Sequence, residues 1–396
     1  MYGRGGLDAE RSDRKPPTKL EERAVTDETD VYLATGRPAK VGVLMDMPAK
    51  YSGFAYKVQE LVRDRYANSG RMERGIEFVR VETFGPPAGP IKNTTDGYHK
   101  LVDEGCLIVV GPNHSDSNIA LTPHVEQRQV PLIALGATAQ HMSKWLFSIR
   151  WASIPNDAFT CASWLRKQGC KRVCFTWDKA DHSLEYVTHF RVAAERAGFK
   201  LVGDRRFPQV VTPDLNDIFE DTLAEFQRLQ PDGIVHFGTS QPSGLWAAFI
   251  NQKGWDVPRV MNDAFFGSNF PEQRAKMEGW CGTGLWDDDN KVLSALYEEY
   301  TTRYAGEPIP PRELMAIYRD GMTAALEGVL LAPILTPDGV RRGLESVQLL
   351  PAAIGGPRNS ISFGPYDRAG LKGSDCVVLR RVKNGELVME GRIELF

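Results

Sequence analysis

From Lys40 onward the chain alternates short apolar runs with amphipathic stretches. KVGVLMD (40–46), IEFVRVETF (76–84), CLIVVG (106–111), PLIALG (131–136) and WLFSIR (145–150) are rich in β-branched and aliphatic residues and predict strands. Between them, residues 53–68, 95–104 and 117–129 carry apolar positions at helical spacing. A second series follows, with strands over 171–178, 199–207, 232–238, 258–263 and 279–286 and helices over 156–168, 183–198, 214–229 and 244–253. The last third opens with helical pieces over 292–304, 312–331 and 338–345 and closes with hairpin material. Strands alternating with helices predict an α/β fold of parallel sheets covered by helices, and right-handed crossovers bring the strands' carboxyl ends to one edge. A chain of 396 residues exceeds most single cores, so two such lobes are expected.

Composition narrows the function classes. A hydrophobic content of 42% with 25% charged residues fits an ordinary globular protein. A net charge of −3 and the lack of a dense basic stripe argue against a nucleic-acid partner, and no apolar run reaches the length of a transmembrane segment. Residues 1–39 are polar and mixed in charge and predict an N-terminal arm outside the core. They hold no apolar signal region, so the sequence as written is expected in the cytoplasm; a signal missing from it would make the protein periplasmic or otherwise extracytoplasmic. The six cysteines lie scattered, several in apolar runs, and are expected as buried free thiols.

Candidate chemistry gathers at two loops. GPNHSDSN (111–118) and GATA (136–139) each follow an apolar strand and offer small residues and hydroxyls. The first opens a helix, so Asn113, His114 and Ser115 can present side chains together with unpaired backbone N–H groups. Both loops are expected at one sheet edge, facing one small ligand. N-capping by Ser115 and turn chemistry at Gly136 would account for the same residues without a ligand. Catalytic constellations are not found. His114, Ser115 and Asp116 are neighbours in sequence and cannot form a nucleophile–base–orienter chain. No phosphate loop, G-x-S-x-G elbow or H-E-x-x-H pair is present, and WDDDN (286–290) lacks the spaced ligands of a calcium loop. Neither an enzyme nor a cofactor is expected. Trp177, Trp246 and His236 are read as packing within their lobes.

The order and spacing of LVDEGCLIVVGPNHS, VPLIALGATA, RWASIPND, AAERAGFKLVGDRRFP and FGPYDRAGLKGSD carry a resemblance. The chain resembles the type I periplasmic binding proteins, in the branch that binds leucine, isoleucine, valine and related ligands for ABC transporters. The resemblance implies two Rossmann-like lobes with parallel-sheet cores joined by a three-strand hinge. It sets one lobe at residues 40–154 with 287–348 and the other at 155–286 with 349–396, closing on a ligand in the cleft. It further implies that Ser115, Gly136 and Thr138 grip a ligand carboxylate. His182 stands where the family has a tyrosine, and Thr239 and Ser240 occupy another tyrosine-bearing loop. Tyr51, Ser52 and Phe54 are candidate cleft walls. The position that holds the ligand's ammonium in the family falls on Ala264, with Asp263 one residue earlier. Either Asp263 takes that part, or the ligand lacks an α-amino group. The preferred expectation is a small carboxylic acid without the amine, aromatic or otherwise apolar, taken up with an ABC permease as partner. A sensor of the same fold acting on a regulatory protein, and more remotely an enzyme, remain as alternatives.

Overall fold

The computed structural model describes residues 36–392, apart from 48, 73, 87–88, 141–142 and 150–152. The polar arm therefore lies almost wholly outside the described residues, as does the start of the RWASIPND stretch. Residues from Pro38 onward form one compact unit.

Five parallel strands make the first sheet: β1 (Ala39–Met45), β2 (Ile76–Glu82), β3 (Ile108–Val110), β4 (Leu132–Ala134) and β5 (Leu146–Ser148), in the spatial order β2-β1-β3-β4-β5. β3, β4 and β5 are buried along their whole length, which is why they read as unbroken apolar runs rather than as alternating ones. The connecting helices are α1 (Ala49–Asn68), α2 (Ile91–Asp103) and α3 (Ser115–Arg128). The strand order reverses direction between β1 and β3, so the loops after these strands diverge and leave a crevice at their carboxyl ends.

The second sheet has seven strands. Its parallel part comprises β6 (Arg172–Asp178), β7 (Lys200–Phe207), β8 (Gly233–Phe237), β9 (Arg259–Met261) and β10 (Cys281–Gly284). The hairpin β11 (Val378–Lys383) and β12 (Glu386–Gly391) adds an antiparallel edge, and the spatial order is β12-β11-β10-β9-β8-β6-β7. Helices α4 (Ser153–Lys167) and α5 (Asp181–Ala197) bury Phe190, Tyr186 and Trp164 on one face. Helices α6 (Leu215–Leu229) and α7 (Gln241–Gln252) bury Phe219, Phe226 and Trp246 on the other. Trp246 and His236 are core residues. Thr176 Oγ1 lies 2.8 Å from His236 Nδ1, and burial pushes the imidazole down to about 4.

The short α8 (Pro271–Arg274) precedes the last helices, α9 (Lys291–Arg303), α10 (Arg312–Leu330) and α11 (Pro337–Glu345). α10 packs on α1 and beneath β3 and β4. Gly321 permits that approach, because a Cβ there would meet Leu135 at 2.5 Å. Two buried side chains fix the crossing segment 352–356. Asp320 accepts from the N–H groups of Ala353 and Ile354, each at 2.9 Å, and Asn290 Nδ2 donates to the carbonyls of Ala352, Ala353, Gly355 and Gly356. Residues 360–371, expected with the second lobe, lie instead along the first sheet. Ala369 bridges Ser148, Phe363 packs on Phe147, and Arg368 pairs with Glu345 at 2.6 Å. Here side-chain pairing decides membership, not the order of the crossings. All six cysteines are buried free thiols.

Candidate functional site: the interlobe cleft

A cleft of about 890 Å³ lies between the carboxyl ends of the two parallel sheets. The first lobe contributes the loops after β1, β2 and β3 together with the start of α10, and the second contributes the turns after β8 and β9 and the first turn of α5.

On the first-lobe side Asp46 ends β1. Its carboxylate accepts the backbone N–H of Asn113 at 2.8 Å and of His114 at 3.2 Å, so a built-in anion already occupies the positive end of α3. The strand before that helix is followed by Gly111, whose φ of +105° only glycine adopts freely. A Cβ there would also strike the Leu44 carbonyl. The N-cap position of α3 is His114, not Ser115, and makes no side-chain cap bond. The Ser115 hydroxyl instead accepts the N–H of Ala137 at 3.1 Å and leaves its own hydrogen for the cleft. Gly136 lets the two loops touch, since a Cβ at that position would collide with Asn118 and crowd Ser115.

The opposite wall is built on Asp178 and Asn262. Asp178 accepts from the N–H of Thr239 and Ala180 and from the Ser183 hydroxyl. Asn262 Oδ1 accepts from Gly238 and Ala264, and its Nδ2 donates to Asp263 at 2.8 Å. Thr239, Ser240, Asp263 and Ala264 are thereby set along the cleft. Aromatic rings close one end: Tyr51 lies 6.3 Å from Phe266 and 5.8 Å from Phe270, centre to centre, across the gap.

His182 joins the lobes. Its backbone N–H and its Nδ1 both reach Asp116 Oδ1, at 3.3 and 3.0 Å, while Nε2 lies 3.0 Å from the Thr239 hydroxyl. Burial alone would lower its pKa; the hydrogen bond and charge of Asp116, with Asp178 and Asp263 behind, lift it above the ordinary histidine value. Burial would raise Asp116, but the bond to His182 and its charge hold it down to about 2. His114, its ring 5.4 Å from that of His182, is pushed the other way by burial first and then by His182.

Of the residues singled out from the sequence, Tyr51, Asn113, His114, Ser115, His182, Thr239, Ser240, Asp263 and Ala264 line the cleft. Gly136, Thr138 and Ser52 do not, and neither does Phe54. Ser52 is 1% exposed, buried in its lobe. Thr138 is taken by Glu185 of α5, from the other lobe. Its hydroxyl donates to Glu185 Oε2 at 2.6 Å, the Ala139 N–H donates to Oε1 at 3.0 Å, and Gln140 Nε2 donates to Oε2 at 3.2 Å. Of the residues expected to grip a ligand carboxylate, Thr138 therefore holds a resident one, while Ser115 stays on the cleft. Sequence reading also missed Asp46, Phe84, Phe266, Phe270 and Glu313 in the lining. Aromatic spacing in DAFFGSNF (263–270) could have flagged two of them, whereas nothing local marks Glu313. Within the described residues no group of histidine, cysteine or acidic side chains could hold a metal ion, and no helix is long and apolar enough to cross a membrane.

The sequence model of a family described as periplasmic binding protein matches residues 38–386. No curated protein matches the chain. Among solved structures, the leucine-binding protein LivK of Thermotoga maritima superposes with a TM-score of 0.73 at 19% identity, covering 90% of this chain and 99% of that one. The branched-chain amino acid substrate-binding protein LivJ of Streptococcus pneumoniae, in complex with isoleucine, gives 0.72 at 19%, covering 89% and 98%. A solute-binding protein of an ABC transporter from R. palustris, in complex with benzoate, gives 0.72 at 18%, covering 90% and 97%. At these identities the likeness establishes the two-lobed type I fold.

Proposed function

The chain belongs to the periplasmic binding protein family, and from that premise we propose that it is the substrate-binding component of an ABC-type uptake system. It closes on a small molecule in the interlobe cleft and hands it to a membrane permease. The observation that carries this reading is the cleft itself, whose volume of about 890 Å³ suits a small ligand and whose walls come from both lobes. Tyr51, Phe266 and Phe270 favour a ligand with an apolar or aromatic body, with Ser115, His114 and Ser240 offering it hydrogen bonds. The neighbour crystallised with benzoate is consistent with an aromatic-sized ligand in a cleft of this build. The same reading puts the protein outside the cytoplasmic membrane, where the family works as a rule.

A thermal-shift screen of small aromatic and aliphatic compounds tests this. A ligand of the folded state raises Tm with its concentration, by about 2.7 kcal/mol of stabilisation at a hundred times Kd. Phe270→Ala should abolish the response, and Tyr366→Ala should not, because that ring is 99% exposed and outside the cleft. A response that survives Phe270→Ala unchanged, or none from any compound class, would sink the reading.

A further inference from the structure

We propose that Glu185 is a specificity-determining residue: it fills the Thr138–Gln140 loop with the protein's own carboxylate, so that the cleft selects ligands uncharged at their Ser115 end. This rests on the cleft reading above for the ligand, but not for the role of Glu185 itself.

The argument is one of donors and acceptors. Four consecutive residues after β4 supply the hydrogens. The Ala137 N–H goes to Ser115; the Thr138 hydroxyl, the Ala139 N–H and the Gln140 amide all go to Glu185. Three converging donors on one carboxylate, itself 8% exposed, make an anion site that is complete without ligand. The other places where an anion would be welcome are also taken, the start of α3 by Asp46 and the turn before α7 by Asp178. A second carboxylate near Glu185 would meet like charge in a partly desolvated setting, which disfavours its binding.

Asp263 and Glu313 also line the cleft as acids, and the polar atoms beside them that stand without a partner are neutral. The Ser240 hydroxyl, in a residue 7% exposed, lines the cleft and has no partner, although serine at that position usually caps the helix that follows. Nδ1 of His114 is likewise unpartnered, and Ser115 keeps its hydrogen. Two hydroxyls and an uncharged imidazole match a carbonyl, amide or alcohol group on an apolar body better than a carboxylate.

Two arms test this. The first measures wild-type affinity for phenylacetamide and phenylacetate; the amide should bind at least about tenfold tighter. Glu185→Gln, which keeps the volume and removes the charge, should narrow that gap. Equal or tighter binding of the acid by the wild type overturns the proposal. The second arm uses formate as a free carboxylate, with chloride at equal ionic strength as control. Formate should raise the Tm of Glu185→Ala, leave the wild type unmoved, and lose its effect in Glu185→Ala with Thr138→Val. A Glu185→Ala protein that folds, by its circular dichroism, yet ignores formate overturns the proposal as well. Should neither phenyl compound bind while formate refills the variant, the cleft reading loses its ligand class and the filled anion site stands.

Discussion

The loops after β3 and β4 look alike in sequence and have opposite fates. Residues 113–115 open onto the cleft, while residues 138–140 are sealed by Glu185 from the other lobe. Both follow three-residue strands buried throughout, and both offer hydroxyls and backbone donors. The difference lies in what arrives from α5. His182, at its second residue, reaches Asp116 and leaves Ser115 facing the ligand space; Glu185, one turn later, reaches Thr138 and closes its loop. A loop built to bind can thus become a joint between lobes when a partner chain segment supplies the anion. The joint then links the two lobes directly, with no ligand between them.

The largest test of that contrast removes the joint. Glu185→Ala strands three donors in a buried setting and should cost roughly 3 kcal/mol of stability, read by urea denaturation. Smaller effects separate the loops. Thr138→Val should cost about 1 kcal/mol of stability and leave ligand affinity unchanged, whereas Ser115→Ala should weaken binding about fivefold. Denaturation and calorimetry on the same two variants check both, and an affinity loss in Thr138→Val equal to that in Ser115→Ala would erase the distinction between the loops.

The smallest effect concerns pH. His182 has a raised pKa in the folded protein, so its contribution is full below its ordinary 6.5 and is lost as pH rises through the raised value. Asp116 is depressed, so its contribution is present above 3.8 and fades as pH falls toward about 2. His114 works against the pair on acidification, because its lowered pKa makes protonation costly to the fold. The stability difference between wild type and His182→Gln reads the bridge together with the relief of His114 from the His182 charge. It should be largest between pH 4 and 6.5 and shrink as the solution is made more alkaline; a difference that grows instead would mean that His182 is neutral at the joint.

Much of the fold was legible because its signals are local. Predicted and observed strands coincide within a residue or two over 40–46 and 171–178, where buried β-branched runs leave little freedom. The helix predicted from Gly244 begins at Gln241 instead, since Pro242 sits comfortably in a first turn and polar residues there gave no periodicity. In the site, the loop at the end of β3 was found from the sheet edge its strand ends on, while those after β1, β8 and β9 were named through the family resemblance. Phe54 and Ser52 were grouped with Tyr51 by proximity in sequence, but successive positions on a helix point in different directions, and only Tyr51 lines the cleft.

The sequence by itself determined the alternation of strands and helices, and with it the two parallel sheets and the edge where their loops meet. Those features follow from the periodicity of burial along a short stretch of chain. Only the tertiary structure decided which donors a ligand can reach. Glu185 lies 47 positions from Thr138 and arrives through the opposite lobe. In the sequence it is one more acid in the first turns of a helix, where a negative charge is ordinary. Its role depends on two lobes coming together, and no local pattern encodes that distance.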